Sequence, residues 1–586
     1  MKPLLCVCVL LAVTASQAHA ADLARQELAV DITSDNLRVV VDATVNTPLG
    51  ETALMVYALS LPLNVFTVNG VPAQLRAVPG TSEAVEIPLD VGTPAAAGVT
   101  QVHLEMEGRL LCDQAGRVAC VQSAQDTALL PSFAGPGWYL QTALQADPFE
   151  LSIAVTASAE REVVAGAGAP LEVTAAVGGV RTWTYGFPIP AEMVMVYARP
   201  NIKVTSQEGF EVLGFAPDRT ATRAKMQVAV DLAGALLPIY GQMLGNYPGT
   251  RAHLMAMPRN FFAGGIGLMG NVLFGEFVVD DLDYLLEQGT AHELGHTWWG
   301  SLASAPATSP HGGFMQEAFA EYTAWLGMGR LKGEATRTSG VRMNATWYMY
   351  RRPSGRDLAV LDENVGTSSL YVFVTYHKAS VVLRALEEAV GQETFLRALR
   401  ALQARGPGGL TPEAFLDVLG TEAGAAARSR AEAWLNTEGF PSLVMSTTRQ
   451  RLSQGERVSV AISRVGAAPV LLPLHFVLEG GERVSRVVEI TQDDTTVDVD
   501  LPGMLVALEA DPTWTMPREV APALQGDVTL DGVVDAADVM EVVFRQGAYL
   551  PSTRREDGAY DSLYDVNLDR LINADDVDQV AVLAGG

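Results

Sequence analysis

The sequence predicts a multidomain α+β protein in which two β-rich regions flank a mainly helical centre. Over residues 21–205, short alternating apolar runs are separated by Gly, Pro and Asn, which indicates strands joined by turns. Over 206–438 the apolar residues recur at helical spacing, and strand-like runs return over 439–515. Because 586 residues are too many for one hydrophobic core, we expect these regions to be separate domains.

The charge of the chain excludes one class of partner. The sequence carries 40 Lys and Arg against 67 Asp and Glu, which gives a net charge of -27. Such a surface repels phosphate backbones, so we expect no nucleic-acid partner. Hydrophobic residues make up 48% of the chain and charged residues 18%, a composition typical of folded proteins rather than disordered ones.

The N-terminal stretch MKPLLCVCVLLAVTASQAHA predicts a secretory signal peptide over residues 1–20. One Lys precedes an apolar core, and Ala18 and Ala20 occupy the small-residue positions before a cleavage site. The alternatives are a first strand or a membrane anchor, but the apolar run is too short to span a bilayer comfortably. No later stretch suits a transmembrane segment, so we expect a secreted protein, extracellular or periplasmic, that is cleaved after Ala20.

Export also bears on the two cysteines that follow the predicted signal peptide. Cys112 and Cys120 flank DQAGRVA, a polar segment that contains a glycine and is typical of a loop. In an oxidising compartment this arrangement predicts a disulfide that closes the loop. The spacing fits a zinc or redox motif of the CxxC type poorly.

The segment AHELGHTWWG carries the strongest chemical signal in the chain. It belongs to a longer stretch, DDLDYLLEQGTAHELGHTWWGSL, that predicts one continuous helix over 280–302. Residues four apart lie on one helix face, so His292 and His296 can bind the same metal ion. Glu293 points slightly away from that direction and can act on a water molecule at the metal. We therefore predict a zinc site with Glu293 as the general base.

A catalytic zinc ion needs a third protein ligand and an open coordination position. The segment GGFMQEAFAEYTAWLGM predicts the next helix, and Glu317 begins its apolar-periodic part. We predict Glu317 as the third ligand, with Glu321 either beside the ligands or solvated. His311, in the intervening loop, is the competing candidate.

These residues carry a resemblance to a known family. HELGHTWWGS followed by FMQEAFAEYTAW resembles the zinc core of the aminopeptidase N-like gluzincins, where Trp298 and Gly300 match the family pattern and Ser301 replaces its usual Asn. The resemblance extends over about residues 25–515. It implies an N-terminal β-saddle over 21–205, a thermolysin-like, mainly α catalytic domain over 206–438 and a small β-sandwich over 439–515.

A second segment, VTYHKASVVLRAL, resembles the part of the family that supplies a catalytic tyrosine. Tyr376 and Lys378 stand in the matching places. The resemblance implies that Tyr376 donates a hydrogen bond to the oxygen that becomes negatively charged during peptide hydrolysis. The nearby Tyr371 is predicted to serve in packing.

A third segment, AGGIGLMGNVLF, resembles the family strand that contacts the substrate. The implied substrate-binding positions are Gly267, Met269, Gly270 and Asn271. Gly270 stands where the family has a glutamate that binds the free amino group of the substrate. We therefore expect an aminopeptidase-type enzyme with altered selectivity for the N-terminus, and we expect Gly270→Glu to favour free N-termini. The alternative is that Glu276 or Glu321 holds the amino group.

The C-terminal region, 526–586, contains two acidic loops with the same spacing of oxygen-bearing side chains. This spacing can wrap a loop around one calcium ion, which takes roughly six to eight oxygens. The predicted calcium ligands are Asp527, Thr529, Asp531, Asp535 and Asp538, then Asp565, Asn567, Asp569, Asn573 and Asp576. The alternative is a solvated acidic tail. The paired, EF-hand-like loops resemble a dockerin-type domain, which implies two structural calcium ions and a cohesin-like or cell-surface partner.

The sequence as a whole favours a secreted zinc metallopeptidase that acts on peptide substrates. The alternative is a catalytically silent, peptidase-like scaffold or a calcium-dependent surface-attachment protein. The presence of the complete set argues against that alternative: His292, Glu293, His296, Glu317 and Tyr376.

Overall fold

The computed structural model describes residues 21–585 except for positions 35, 49, 83, 93–97, 110–119, 123–126, 130–136, 143–148, 167, 188–194, 201–202, 208, 217–218, 258–263, 282, 307–308, 352–355, 467–469, 547–560 and 568–570. The predicted signal peptide, Cys112 and Asp569 lie outside these residues, so what was predicted for them stays a prediction. The chain divides into two compact units, Met1–Gln316 with Gln403–Thr411 and Glu317–Leu402 with Pro412–Gly586.

The N-terminal part of the first unit is built from strands. They are β1 (Asp22–Asp31), β2 (Leu37–Asn46), β3 (Ala53–Tyr57), β4 (Leu63–Val68), β5 (Val71–Pro72), β6 (Arg76–Ala77), β7 (Ala84–Pro88), β8 (Val99–Gly108), β9 (Cys120–Gln122), β10 (Thr127–Leu129), β11 (Glu150–Ser158), β12 (Arg161–Val164), β13 (Glu172–Val173), β14 (Val180–Gly186) and β15 (Val196–Pro200). An eight-stranded sheet has the order β13-β14-β11-β1-β2-β8-β4-β5. In β2, alternate residues such as Val39 and Val41 are fully buried, which is the period-two pattern of a sheet with one face on the core.

The rest of the first unit combines a five-stranded sheet with helices. Its strands are β16 (Lys203–Thr205), β17 (Val212–Phe215), β18 (Ala252–Met257), β19 (Gly265–Leu268) and β20 (Asn271–Gly275), and its helices are α1 (Thr220–Leu244), α2 (Glu276–Asp281) and α3 (Asp283–Gly295). The sheet order β16-β17-β18-β20-β19 places β19 at an edge. Strands β17, β18 and β20 run parallel, and β19 forms an antiparallel hairpin with β20.

Helix α3 is shorter than the sequence predicts. It ends at Gly295, whereas the periodicity suggested a helix through residue 302. The amides of Trp298 and Trp299 both donate to the Gly295 carbonyl, at 3.0 and 3.1 Å, so the last turn closes on itself. Gly300 then adopts a φ of 123°, which a helix cannot continue.

The second unit begins with helices. They are α4 (Phe319–Lys332), α5 (Glu334–Thr346), α6 (Ala379–Val390), α7 (Gln392–Gln403), α8 (Pro412–Ala423) and α9 (Ala425–Leu435), with π-helical turns at Trp347–Arg351 and Val372–Lys378 and a 3-10 turn at Val365–Thr367. A further π-helical turn, Phe314–Ala318, includes Glu317, the first residue of this unit. The buried Arg337 on α5 pairs with Glu387 on α6, and the Tyr322 hydroxyl on α4 donates to Glu387 at 2.8 Å. This pairing joins three helices. N-terminal strands and central helices together confirm the α+β prediction.

Strands return after α9. They are β21 (Ser442–Arg451), β22 (Glu456–Val465), β23 (Val470–Leu478), β24 (Arg483–Ile490), β25 (Asp494–Leu501), β26 (Leu505–Ala510) and β27 (Glu519–Pro522). They form two sheets, ordered β25-β22-β21-β27 and β24-β23-β26. Their inward residues share one core that includes Leu443, Val460, Leu474 and Phe476. In the described part of the chain, no helix is long and apolar enough to cross a membrane.

The acidic C-terminal region packs within the second unit. Each of its helices, α10 (Ala536–Arg545) and α11 (Ala574–Ala584), starts with a capping box between the residue before the helix and the third residue of the helix. Leu530, at the tip of the first loop, belongs to the core of the two sheets, and its carbonyl accepts from the Thr447 hydroxyl at 2.7 Å. Arg449 pairs with Asp531 at 3.0 Å. The first acidic loop is therefore a packed element of this unit.

A buried histidine joins β18 to β20 in the first unit. His253 Nδ1 lies 2.9 Å from Asn271 Oδ1, and both side chains are buried. Burial lowers the pKa of His253 to about 4, with a smaller lowering from Arg251, while the bond to Asn271 and the charge of Glu211 act in the opposite direction. The neutral form of His253 is therefore the one that the folded state accommodates.

This histidine predicts a loss of stability in mild acid. As the pH falls, the unfolded chain binds the proton near pH 6.5 and the folded chain only near 4, so stability is full above pH 6.5 and declines down to about pH 4, by about 3 kcal/mol at most. His253→Gln should flatten this decline. Urea unfolding between pH 4.5 and 7.5, in a chelator that removes metal from every sample, measures it. His475→Gln, at a half-buried position in the second unit, is the control, and a His253→Gln curve parallel to the wild type would refute the assignment.

Candidate metal centre and active site

Helix α1 and the residue after it contact helix α3 and the segment that follows it. The Tyr240 hydroxyl donates to the carbonyl of Ala291 at 2.8 Å, one residue before the first histidine of the motif. Trp298, two residues after the second histidine, donates from Nε1 to the carbonyl of Gly245 at 2.9 Å. The rings of Tyr240 and Trp298 meet edge to face at 5.7 Å. These contacts fix the segment on both sides of the two histidines.

The predicted ligands come together. The ligand atoms of His292, His296 and Glu317 all lie within 4.8 Å of one another. The Nε2 atoms of the two histidines are 3.1 Å apart. His296 Nδ1 donates to the carbonyl of Trp299 at 2.9 Å, which leaves Nε2 with its lone pair for a metal. Two imidazoles and one carboxylate fit the donor set of a catalytic zinc site.

The competing ligand candidate and the next glutamate along the helix do not join this group. Among the described residues, the cluster comprises neither His311 nor Glu321. Glu321 is almost completely buried, and its Oε1 accepts from Trp325 Nε1 at 2.8 Å and from Asn344 Nδ2 at 3.0 Å. Of the two roles predicted for Glu321, the solvated one is thus excluded.

The Glu293 carboxylate lies beside the candidate metal ligands. Its Oε2 lies 4.0 Å from His296 Nε2, and both side chains retain 13% of their exposure. The carboxylate is therefore close to the ligands without being one of the clustered ligand groups. A carboxylate in this position can exchange a proton with a water molecule at the metal.

Two glycines bring the edge strand β19 onto α3. A Cβ atom at Gly265 would lie 2.4 Å from Oε1 of Glu293, and one at Gly267 would lie 2.1 Å from the Glu293 carbonyl oxygen and 3.0 Å from His296 Cβ. A side chain at Gly267 would require the strand or the helix to move, whereas one at Gly265 would displace the Glu293 side chain. Gly267, predicted to contact substrate, thus lies against the predicted catalytic residues.

The turn between β19 and β20 differs from what the family pattern suggested. Met269 and Gly270 have φ values of 44° and 76°, as in a two-residue hairpin turn of type I′. A Cβ at Gly270 would meet the Tyr247 hydroxyl at 1.7 Å. Gly270→Glu would therefore disrupt the turn, so it cannot restore an amine-binding carboxylate as expected. Asn271 is buried and bonded to His253.

Tyr376 lies in the second unit on the π-helical turn Val372–Lys378. Such turns frequently occur at functional sites. Its ring packs edge to face on Tyr371 at 6.0 Å, which agrees with the packing role predicted for Tyr371. Lys378 is buried, and its Nζ donates to the carbonyls of Leu358 and Thr437, both at 2.9 Å, so it ties the π-helical turn to neighbouring backbone.

No contact was predicted from the sequence for Thr297 and Ser301, two residues that follow helix α3. The Ser301 hydroxyl accepts from the amide of Met269 at 3.1 Å, and the Thr297 hydroxyl accepts from the amide of Gly270 at 3.1 Å. They join the metal-binding segment to the β19–β20 hairpin. No regular spacing in the sequence predicts these two hydrogen bonds, because the partners lie 32 and 27 residues apart along the chain.

Comparisons with known proteins agree with this geometry. Residues 229–434 match the profile of the Peptidase family M1 domain. The Tricorn protease-interacting factor F2 of Thermoplasma volcanium is 22% identical over 287 residues, which cover 47% of this chain and 36% of that protein. Aminopeptidase 2, mitochondrial, of Saccharomyces cerevisiae is 22% identical over 296 residues, which cover 47% and 30%. Aminopeptidase M1-B of Oryza sativa subsp. japonica is 24% identical over 259 residues, which cover 41% and 28%.

The chain spans about a third of the length of these curated relatives. The matched region contains both histidines, Glu293, Glu317 and Tyr376. The central part of the chain is therefore similar to the Peptidase family M1 domain and to proteins named aminopeptidases.

Proposed function

We propose that this chain is a secreted, zinc-dependent metallopeptidase of the aminopeptidase type. The observation that carries the proposal is the convergence of His292, His296 and Glu317, with the Glu293 carboxylate beside them. Secretion rests on the signal-like residues 1–20, and an exported chain whose mass corresponds to cleavage after Ala20 would support it.

In the proposed mechanism, each of these side chains has a separate role. When bound, a zinc ion lowers the pKa of a coordinated water to about 7 and polarises the scissile carbonyl. Glu293 takes the proton from the attacking water and returns it to the leaving amine. Tyr376 donates a hydrogen bond to the oxygen that gains negative charge. The bond from His296 to the Trp299 carbonyl keeps that imidazole in the tautomer that binds metal.

We further propose that the enzyme discriminates weakly between free and blocked N-termini. Position 270 carries no carboxylate, and its turn geometry admits none. The two carboxylates that could replace it are already paired: Glu276 accepts from Arg219 at 2.8 Å, and Glu321 accepts from Trp325 and Asn344. A desolvated amine–carboxylate pair of this kind contributes roughly a hundredfold in selectivity elsewhere.

Two substitutions separate metal binding from catalysis. Glu293→Gln should lower peptide hydrolysis by at least about 100-fold while zinc remains near one ion per chain, because Glu293 acts on the proton and binds no metal. Glu317→Ala should lose most of the zinc. Activity and zinc content, the latter by elemental analysis, are measured on the same samples.

Glu287→Gln, two turns earlier on α3, is the matched control and should behave as the wild type. Full zinc in Glu317→Ala combined with loss in His311→Ala would show that the third ligand is wrong. A zinc-loaded wild type that cleaves no peptide of a broad panel would instead favour the scaffold alternative.

The selectivity proposal is tested with one fluorogenic peptide, free or acetylated at its N-terminus. We expect the two kcat/KM values of the wild type to lie within about tenfold of each other, because position 270 supplies no carboxylate for the amine. Glu276→Gln and Glu321→Gln should leave the ratio unchanged. A strict demand for a free N-terminus that disappears in either variant would identify that glutamate as the amine anchor.

We also propose that the C-terminal loops bind calcium. In the first loop, Asp527 is buried and accepts from the amides of Asp531 and Gly532, both at 3.0 Å. Burial raises the pKa of Asp527 to about 6, against the effect of the Gly532 bond, and the nearby Asp538 and Asp531 add repulsion. A divalent cation would offset the cost of this crowded negative charge. A dockerin-type role, with a cohesin-like partner, is the function this site would serve.

Calcium should therefore stabilise the full chain. In protein dialysed against calcium-depleted buffer, calcium at 100 times its Kd should add about 3 kcal/mol to the stability of the second unit and raise its Tm by several degrees. Asp527→Asn should abolish the rise, whereas Asp494→Asn, at an exposed position of β25, should keep it. An unchanged wild-type Tm over a millimolar calcium titration would exclude the site.

A further inference from the structure

We propose that Thr297 and Ser301 are positioning residues that lock the edge strand β19 to the metal-binding end of α3. This proposal rests on the proposed peptidase function for its kinetic consequences. The observation behind it is the pair of hydrogen bonds from the amides of Gly270 and Met269 to the two hydroxyls, each at 3.1 Å.

The two amides need external acceptors. In a two-residue hairpin, the central residues cannot donate to the opposite strand, because the ladder of β19 and β20 closes at Leu268 and Asn271. Met269 and Gly270 are buried. A buried amide without an acceptor costs about 1–3 kcal/mol, so the two hydroxyls satisfy groups that the hairpin leaves unpaired.

The two hydroxyls also fix the position of strand β19 relative to Glu293 and His296. Thr297 directly follows the metal ligand His296, and it is almost completely buried. Thr297 holds the amide of Gly270, and three residues before that amide Gly267 lies against the Glu293 carbonyl and His296 Cβ, with no room for side-chain atoms. The bonds of Thr297 and Ser301 thus span the same two elements that touch at Gly267, and they fix the hairpin in that contact.

A third contact fixes the hairpin from the opposite side. The His253 amide donates to the carbonyl of Gly270 at 2.9 Å, and the His253 ring bonds to Asn271. The turn is therefore clamped between β18 and the segment after α3. Removing the Thr297 hydroxyl would release only the side that faces the metal ligands, so the strand would shift relative to Glu293 while the sheet stays paired.

The test compares Thr297→Val with a matched control. Valine keeps the shape of threonine and removes the acceptor. Thr290→Val, two turns earlier on α3, also removes a buried hydroxyl, but that hydroxyl donates to the Leu286 carbonyl of its own helix. Thr297→Ser keeps the acceptor and serves as the rescue, and Ser301→Ala removes the second, half-buried hydroxyl.

We expect Thr297→Val to keep zinc and to lower kcat/KM for a peptide by about 10- to 100-fold, since small displacements of a substrate-positioning element cost rates of that order. Thr297→Ser should recover most of the rate, Ser301→Ala should lose less than Thr297→Val, and Thr290→Val should match the wild type. Amide hydrogen exchange of the peptide covering residues 265–275 should be faster than in the wild type in Thr297→Val, but not in Thr297→Ser or Thr290→Val.

The exchange measurement separates this proposal from the proposed function. If the wild type cleaves no peptide, the peptidase assignment fails, and exchange still tests the clamp. Equal exchange and equal rates in Thr297→Val and Thr290→Val would overturn the positioning role. Loss of zinc in Thr297→Val would overturn it as well, since the hydroxyl would then act on the metal ligands and not on the strand.

Discussion

The close approach of strand β19 to helix α3 is the constraint on which the site depends. An edge strand can lie directly on a helix only where neither carries bulk at the contact, and Gly265 and Gly267 meet that condition beside Glu293 and His296. The backbone of a sheet edge thereby becomes one wall of the candidate site, next to the residues that could hold a metal ion. The surrounding contacts serve to hold the two elements together: α1 supports α3 through Tyr240, and the β19–β20 turn is bonded on both of its faces.

Local helix geometry shapes the rest of the site. The two histidines lie one turn apart, and α3 ends just before the second of them, so the chain can turn and offer the Trp299 carbonyl to His296 Nδ1. Glu317 and Tyr376 each lie on a π-helical turn, at Phe314–Ala318 and Val372–Lys378. A π-helical turn contains one more residue than an α-helical one, so it changes which side chains face a given direction. Both predicted functional residues thus occupy helical segments whose side-chain directions depart from the regular period.

In the acidic C-terminal region, the sequence motif suggests an independent module, whereas the packing makes its first loop part of a larger core. Its repeated loops suggest a small module that folds around its own ions. In the structure, the first loop also contributes Leu530 to the core of the two sheets, and its Asp531 pairs with Arg449 on β21. The ionic state of the loop and the stability of the sheets are therefore linked, because the same short segment takes part in both.

The sequence by itself determined the features that depend on local periodicity. The order of β-rich and helical regions follows from apolar spacing, and the pairing of His292 with His296 follows from a four-residue interval in a segment predicted to be one helix. Glu317 could be named as the third candidate ligand because it begins the apolar-periodic part of the next predicted helix. Only the tertiary structure decided what lies across from them. The acceptor roles of Thr297 and Ser301, the Tyr247 hydroxyl that excludes a side chain at Gly270, and the His253–Asn271 pair all join residues 18 to 32 positions apart or on separate strands. Such contacts depend on how the sheet and the helix pack against each other. The sequence around one residue therefore does not indicate which distant atom will lie within hydrogen-bonding distance of it.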